Sequence, residues 1–154
     1  NNLIYVEQEN KELGFVGKPK RVDIKLLKEV IKENFVPVII PMGLDNIGNQ
    51  YNINADTAAG AIATAIKSRR LMLLTDIDGV LDNENKLISE INIMQAKELV
   101  KNKTIHGGMI PKVKTCIDAI NNGVRAVVII DGRKPHSILF ELFSDKGAGT
   151  LIRK

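Results

Sequence analysis

Apolar residues along this chain fall into short continuous blocks and into stripes of helical spacing, and the two kinds alternate from one end to the other. Leu3 to Val6 and Leu13 to Val16 are short apolar segments joined by the polar Glu7 to Glu12. With Gly14 and Gly17 bracketing a tight excursion, they predict a hairpin. Asp23 is placed to cap a helix running to about Asn34, in which Ile24, Leu27, Val30 and Ile31 form one stripe while Lys25, Lys28, Glu29 and Lys32 face water. Val36 to Pro41 reads as a buried strand, followed by a polar turn with Gly43, Asp45, Asn46 and Gly48. Ala55 to Ser68 then reads as a helix capped by Asn54, whose many alanines let a helix and a sheet approach closely.

The second half repeats the alternation. Leu71 to Leu74 is a continuous apolar run, as in a parallel strand covered on both faces, and it ends in Thr75-Asp-Ile-Asp-Gly-Val-Leu81. Asn92 is placed to cap a helix to about Lys101, and a loop follows over Asn102 to Gly108. Pro111 is read as the first residue of a helix that Gly123 closes. Val124 to Ile130 is a strongly apolar strand ending in Asp131-Gly-Arg133. His136 to Ser144 reads as helical, and Gly149 to Ile152 as an edge strand. Strands alternating with helices predict an α/β fold with a largely parallel sheet and right-handed connections. Ligands in such sheets collect at the carboxyl ends of strands, where Pro41 to Asp56, Thr75 to Gly79 and Asp131 to Arg133 are expected to lie.

Composition narrows the function classes. The 154 residues, 44% hydrophobic and 26% charged, suit one soluble domain that buries roughly 70% of its unfolded surface. A net charge of +4 suits an anionic partner, but the lysines are scattered and aromatics are only 4%, so the stacking platform of a nucleic-acid binder is missing. Anionic small molecules remain. The single cysteine, Cys116, excludes an internal disulfide and falls within a predicted helix, where packing is its expected role. No apolar run approaches the length of a membrane span, and His106 and His136 lack ligand spacing, so neither a membrane nor a resident metal is expected. The chain opens on Asn1-Asn2 and is expected to be part of a longer protein.

Three constellations could carry chemistry. Asn52, Asn54 and Asp56 set two amides and a carboxylate at alternate positions before the alanine helix, although the helix dipole by itself favours an acid at Asp56. His106-Gly-Gly-Met-Ile-Pro-Lys112 places a lysine near the positive end of a helix, where an anion would reverse the electrostatic penalty and glycine-flanked amides could cradle phosphate. Thr75, Asp76, Asp78 and Gly79 form a strand-end turn with two acids and a hydroxyl, which ordinary turn chemistry also explains. Neither G-x-x-x-x-G-K-[ST] nor G-x-G-x-x-G occurs.

Tyr51-Asn-Ile-Asn-Ala-Asp56, Leu74-Thr-Asp-Ile-Asp-Gly-Val-Leu81, Gly107-Gly-Met-Ile-Pro-Lys112 and Ile129-Ile-Asp-Gly-Arg133, in that order, resemble the carboxyl-terminal half of the acetylglutamate kinases of the amino acid kinase family. Leu139-Phe-Glu-Leu-Phe143 and Gly147-Ala-Gly-Thr150 resemble the same family's ending. The resemblance implies an open three-layer αβα sandwich with a mainly parallel sheet, in which residues 1–154 are the nucleotide-binding half of a cytoplasmic or plastid-stromal enzyme. It implies transfer of a phosphoryl group from ATP, with Mg2+ held by phosphate and water, to the γ-carboxylate of N-acetyl-L-glutamate in arginine biosynthesis. By position, Lys112 and Asp56 are then catalytic, Asn52 and Asn54 hold the acceptor, and Thr75, Asp76, Gly79, Gly108 and Met109 frame the nucleotide.

Arginine-inhibited members use positions like Glu141 and Gly147 for the effector, and commonly have histidine where Val128 stands here. The family's amino-terminal half supplies a second lysine, a glycine pair and an arginine that have no counterparts in these residues, so this chain alone is expected to be inactive. Partners implied are that missing half, further copies of the enzyme and the PII nitrogen-signalling protein. Other members of the family, acting on uridylate, aspartate or carbamate, and a non-catalytic nucleotide-binding module remain alternatives.

Overall fold

A computed structural model of the chain describes residues 2–154. They divide into two compact units, one ending at Ile66 and one spanning Lys67–Lys154.

In the first unit, strands β1 (Ile4–Gln8) and β2 (Gly17–Val22) pair antiparallel, so the hairpin is present but its second strand is not Leu13 to Val16. A 3₁₀ turn over Lys11–Leu13, capped by the Asn10 side chain, and the positive φ of Gly14 take up that segment, leaving Leu13 and Phe15 exposed. β2 is polar and contains Pro19, a composition a strand tolerates at the edge of a sheet, which is where β2 lies. Helix α1 (Ile24–Lys32) begins where the Asp23 carboxylate accepts from the Lys25 N–H, 3.0 Å away. Strands β3 (Met42–Leu44) and β4 (Gln50–Asn52) form a second hairpin, its turn tied by Asp45, whose carboxylate accepts from the N–H groups of Ile47 and Asn49. Helix α2 (Ala55–Ala65) follows at once, and the unit's core gathers Ile4, Val6, Tyr51, Ile53 and Ala58.

The expected buried strand from Val36 to Pro41 is not formed. Among the described residues this run belongs to no sheet, and Val36, Val38 and Ile40 are 89%, 94% and 66% exposed. Pro37 and Pro41 bring no N–H to a ladder, and apolar character requires a cover without specifying one.

The second unit is built on β5 (Arg70–Thr75), β6 (Glu90–Asn92), β7 (Ala126–Asp131) and β8 (Gly149–Arg153), in the order β5-β7-β8-β6. β5 with β7 and β8 with β6 are parallel, while β7 with β8 is antiparallel. The β1–β4 sheet is also mixed, so the α/β class holds while the mainly parallel expectation holds only in part. β8 lies inside its sheet and not at the edge. Val127, Val128, Ile129 and Ile130 are all fully buried, and since successive side chains alternate in direction, both faces of β7 are covered. The helices of this unit are α3 (Ile93–Lys101), α4 (Met109–Asn121) and α5 (Ser137–Phe143). α3 opens with a capping box between Asn92 and Gln95. α4 begins at Met109, which makes Pro111 its third residue, still in the first turn where no N–H is required. Among the described residues, no helix is long and apolar enough to cross a membrane.

Candidate active site

The sequence candidates separate into one group in the first unit and two in the second. In the first, Tyr51 and Ile53 are buried while Asn52 and Asn54 are exposed, so alternation along the extended chain turns both amides outward on one side. The Asn54 side-chain oxygen accepts from the Thr57 N–H at 3.2 Å and from its hydroxyl at 3.3 Å, which makes Asn54 the cap of α2. Asp56, half-buried, is the second residue of the helix, where the positive end of the dipole favours a carboxylate.

In the second unit, Thr75, Asp76, Gly79, Gly108, Met109 and Lys112 line a single pocket of about 580 Å³. It opens at the carboxyl end of β5. One wall is the turn after β5 and the segment Val80 to Asn85; the other is Thr104 to Gly108 and the first turn of α4. Lys112, the fourth residue of α4, is half-buried in that wall. The N–H groups of Met109 and Ile110 close the helix start on the carbonyls of His106 and Gly107, so these two amides serve the turn and not a phosphate. Gly107 takes φ 55°, whereas Gly108, at φ −64°, has no backbone need to be glycine, and a side chain there would meet no atom of the chain within 4 Å. Gly108 therefore leaves open room on the pocket side.

Behind the Thr75 turn, β5 and β7 are clasped. The Gly132 N–H donates to the Thr75 carbonyl at 2.8 Å, and Lys134 pairs with Asp78 at 2.8 Å. The Arg133 guanidinium grips the buried Asp131 carboxylate with two bonds of 2.9 Å, while its backbone N–H adds a third. These hydrogen bonds from Arg133 hold the Asp131 carboxyl down from 3.8 to about 2, against the opposing effect of burial. A depressed native pKa gives stability that is present above the unfolded value of 3.8 and is lost as pH falls toward 2. The melting-temperature advantage of wild type over Asp131→Asn is therefore expected to be constant above about pH 4 and to shrink between about pH 4 and 2. An advantage that persists at low pH would detach it from this carboxyl.

The remaining candidates, Glu141 and Gly147, line a separate, smaller pocket of about 250 Å³ with Arg70, Ser89 and Lys146. Glu141 is buried and both its oxygens are engaged, one by Arg70 at 3.1 Å and the other by the Ala148 N–H at 2.8 Å. Residues not singled out from sequence include Asp82, Asn85, Thr104 and Ile105 in the larger pocket and Arg70 in the smaller. The polar Asp82-Asn-Glu-Asn85 string is a turn signal in itself, but nothing local links it to residues about twenty positions on.

A profile of the amino acid kinase family matches residues 2–131. Over its whole length the chain is 61% identical to the acetylglutamate kinase of Pelagibacter ubique, of which it covers 54%. It is 52% identical, over 93% of its length, to that of Rhodopseudomonas palustris strain BisB18, of which it covers 48%. The chain thus spans about half the length of the curated relatives it matches. Among solved structures it resembles a carbamate kinase from Giardia lamblia bound to citric acid, with a TM-score of 0.69 and 26% identity over 90% of this chain and 46% of that one. It shares the fold of the N-acetylglutamate synthase from Neisseria gonorrhoeae complexed with coenzyme A and L-arginine, with a TM-score of 0.90 at 22% identity over 100% of this chain and 37% of that one.

Proposed function

Because the chain belongs to the amino acid kinase family, we propose that it is the nucleotide-binding half of an acetylglutamate kinase, which moves the γ-phosphoryl group of ATP to the γ-carboxylate of N-acetyl-L-glutamate. The observation that carries this is the pocket at the end of β5, where Lys112 faces Thr75, Asp76 and Gly79 across open space lined by Gly107 and Gly108. In the transfer, the bond between the γ-phosphorus and the β,γ-bridging oxygen breaks as a bond from a carboxylate oxygen forms, giving ADP and an acyl phosphate. Such a reaction asks the protein for alignment and positive charge more than for covalent chemistry. Lys112 supplies a cation, Gly79, Gly108 and Met109 shape the nucleotide cradle, Asn52 and Asn54 hold the acceptor, and Asp56 orients the lysines.

Magnesium accompanies the nucleotide in this proposal and neutralises phosphate charge. Asp78 is paired to Lys134, Asp82 accepts from the Glu84 and Lys86 N–H groups of its own turn, and no group of three acids, histidines or cysteines able to hold a metal occurs among the described residues. Phosphate oxygens and water are therefore its main ligands.

The exposed run Val36 to Ile40 supports a larger whole, because an amino-terminal half that completes a sheet there would cover it. That half supplies the second lysine, so the chain alone turns over no substrate. A coupled phosphorylation assay of the full-length protein with acetylglutamate, aspartate, uridylate and carbamate tests the assignment. Preference for acetylglutamate is expected, and preference for another acceptor would move the protein to another branch. The likeness to a carbamate kinase favours that rival at 26% identity, against 61% for an acetylglutamate kinase.

Feedback by arginine is expected to be weak. Arg70 occupies Glu141, the carboxylate an arginine effector would seek, and the fully buried Val128 offers no hydrogen bond. Calorimetric titration of arginine into the full-length protein should show little heat; tight binding would contradict this.

A further inference from the structure

We propose that Thr150, a residue of β8 outside the pocket lining, is a positioning residue that sets the nucleotide wall of the pocket; this rests on the pocket being the ATP site. The wall is a two-stranded ribbon in which the Ile88 N–H donates to the Val80 carbonyl at 2.9 Å, Leu81 faces Leu87, and the Asp82 N–H donates to the Lys86 carbonyl at 2.9 Å. A ribbon of two strands is marginal by itself and keeps its place only if anchored. Among the described residues, two side chains anchor it. At the tip, the Thr104 hydroxyl reaches Asn83 at 2.9 Å, joining the ribbon to the opposite wall. At the base, the Thr150 hydroxyl accepts from the Val80 N–H at 2.8 Å and donates to the Ile88 carbonyl at 2.7 Å, so one side chain ties both strands.

The base anchor is the rigid one. Thr150 is fully buried, and its strand pairs it with Ile129 of β7, also fully buried. A buried hydroxyl is unfavourable unless bonded, and this one uses both its donor and its acceptor capacity on the ribbon, where valine would fill nearly the same space without tying anything. The chain enters the ribbon directly against this hydroxyl. Gly79 takes φ +146°, and a Cβ added there would lie 2.6 Å from the Thr150 Oγ1 and 2.8 Å from Leu87. Turn and ribbon are thus seated on Thr150, and Gly79, Val80, Leu81 and Asp82 of the pocket lining move with it.

The test uses the full-length enzyme with Thr150→Val and Thr150→Ser. In Thr150→Val the KM for ATP is expected to rise about tenfold while the KM for acetylglutamate stays unchanged, and Thr150→Ser restores the wild-type value. Independently of any ligand, hydrogen exchange at the Val80 N–H should quicken by about tenfold or more in Thr150→Val and remain slow in Thr150→Ser. A folded Thr150→Val with wild-type ATP KM, or equal losses in both variants, overturns the proposal. If Thr150→Val does not fold, Gly79→Ala, which pushes the turn off the same hydroxyl, takes its place. It should reproduce the selective loss for ATP, and a normal ATP KM there overturns the proposal as well. Absence of ATP binding by wild type would instead refute the nucleotide assignment of the pocket, so the two failures are distinguishable.

Discussion

Replacing Lys112 by alanine in the full-length protein is expected to lower turnover about a hundredfold, because in the proposed role one preorganised cation at the moving phosphoryl group contributes on the order of 3 kcal/mol to transition-state stabilisation. The position of Lys112 supports this reading. It stands within the first four residues of α4, where the helix dipole opposes a positive charge by about 0.3–1 kcal/mol. An anion in the adjoining pocket would reverse that penalty, since it gains from the lysine and from the dipole together. Loss of the side chain should leave the melting temperature nearly unchanged and the fall concentrated in kcat. An unchanged rate would return Lys112 to an ordinary pocket rim and leave phosphoryl transfer without its cation in this chain.

What could be read from the residues divides along the range of the interactions concerned. The starts of α1, α2 and α3 were legible because Asp23, Asn54 and Asn92 act on N–H groups two or three residues away. β5 and β7 were legible because their sequences are continuously apolar, although only β7 is covered on both faces, while edge strand β5 buries Leu71 and Leu73 and leaves Leu74 46% exposed. Val36 to Pro41 carries the same apolar signal yet stands exposed, since an apolar run records that a cover is needed without identifying it. β2 departs from the apolar pattern for the converse reason, as an edge strand with Lys18, Pro19, Lys20 and Arg21 has no apolar signature. In the pocket, the strand-end turn and the glycine-lysine string were visible separately, while their meeting depends on β5 and α4 being brought together by the fold. Arg70 with Glu141, 71 positions apart, and Thr150 with Val80, 70 apart, have no local signature at all.

Asp56→Asn in the full-length protein separates capping from catalysis and is expected to be as damaging as the lysine change. Asn54 already caps α2 through Thr57, so at the helix start Asp56 adds the favourable dipole interaction of a first-turn carboxylate, and asparagine keeps its size and hydrogen-bonding capacity. If that were its whole role, the substitution would cost a few tenths of a kcal/mol in stability and nothing in rate. The role proposed for Asp56, that of the acid orienting the catalytic lysines, predicts a different outcome, because those cations repel one another without it. Neutralising it displaces them, and a displacement of about 1 Å costs roughly a hundredfold in rate. The expected signature is a large fall in turnover, a nearly constant melting temperature and a modest change in ATP affinity. Thermal melts and steady-state kinetics on the same preparations separate the outcomes. Equal rates, or a loss that merely follows unfolding, would remove Asp56 from the catalytic machinery and leave Lys112 as the catalytic group assigned to this chain.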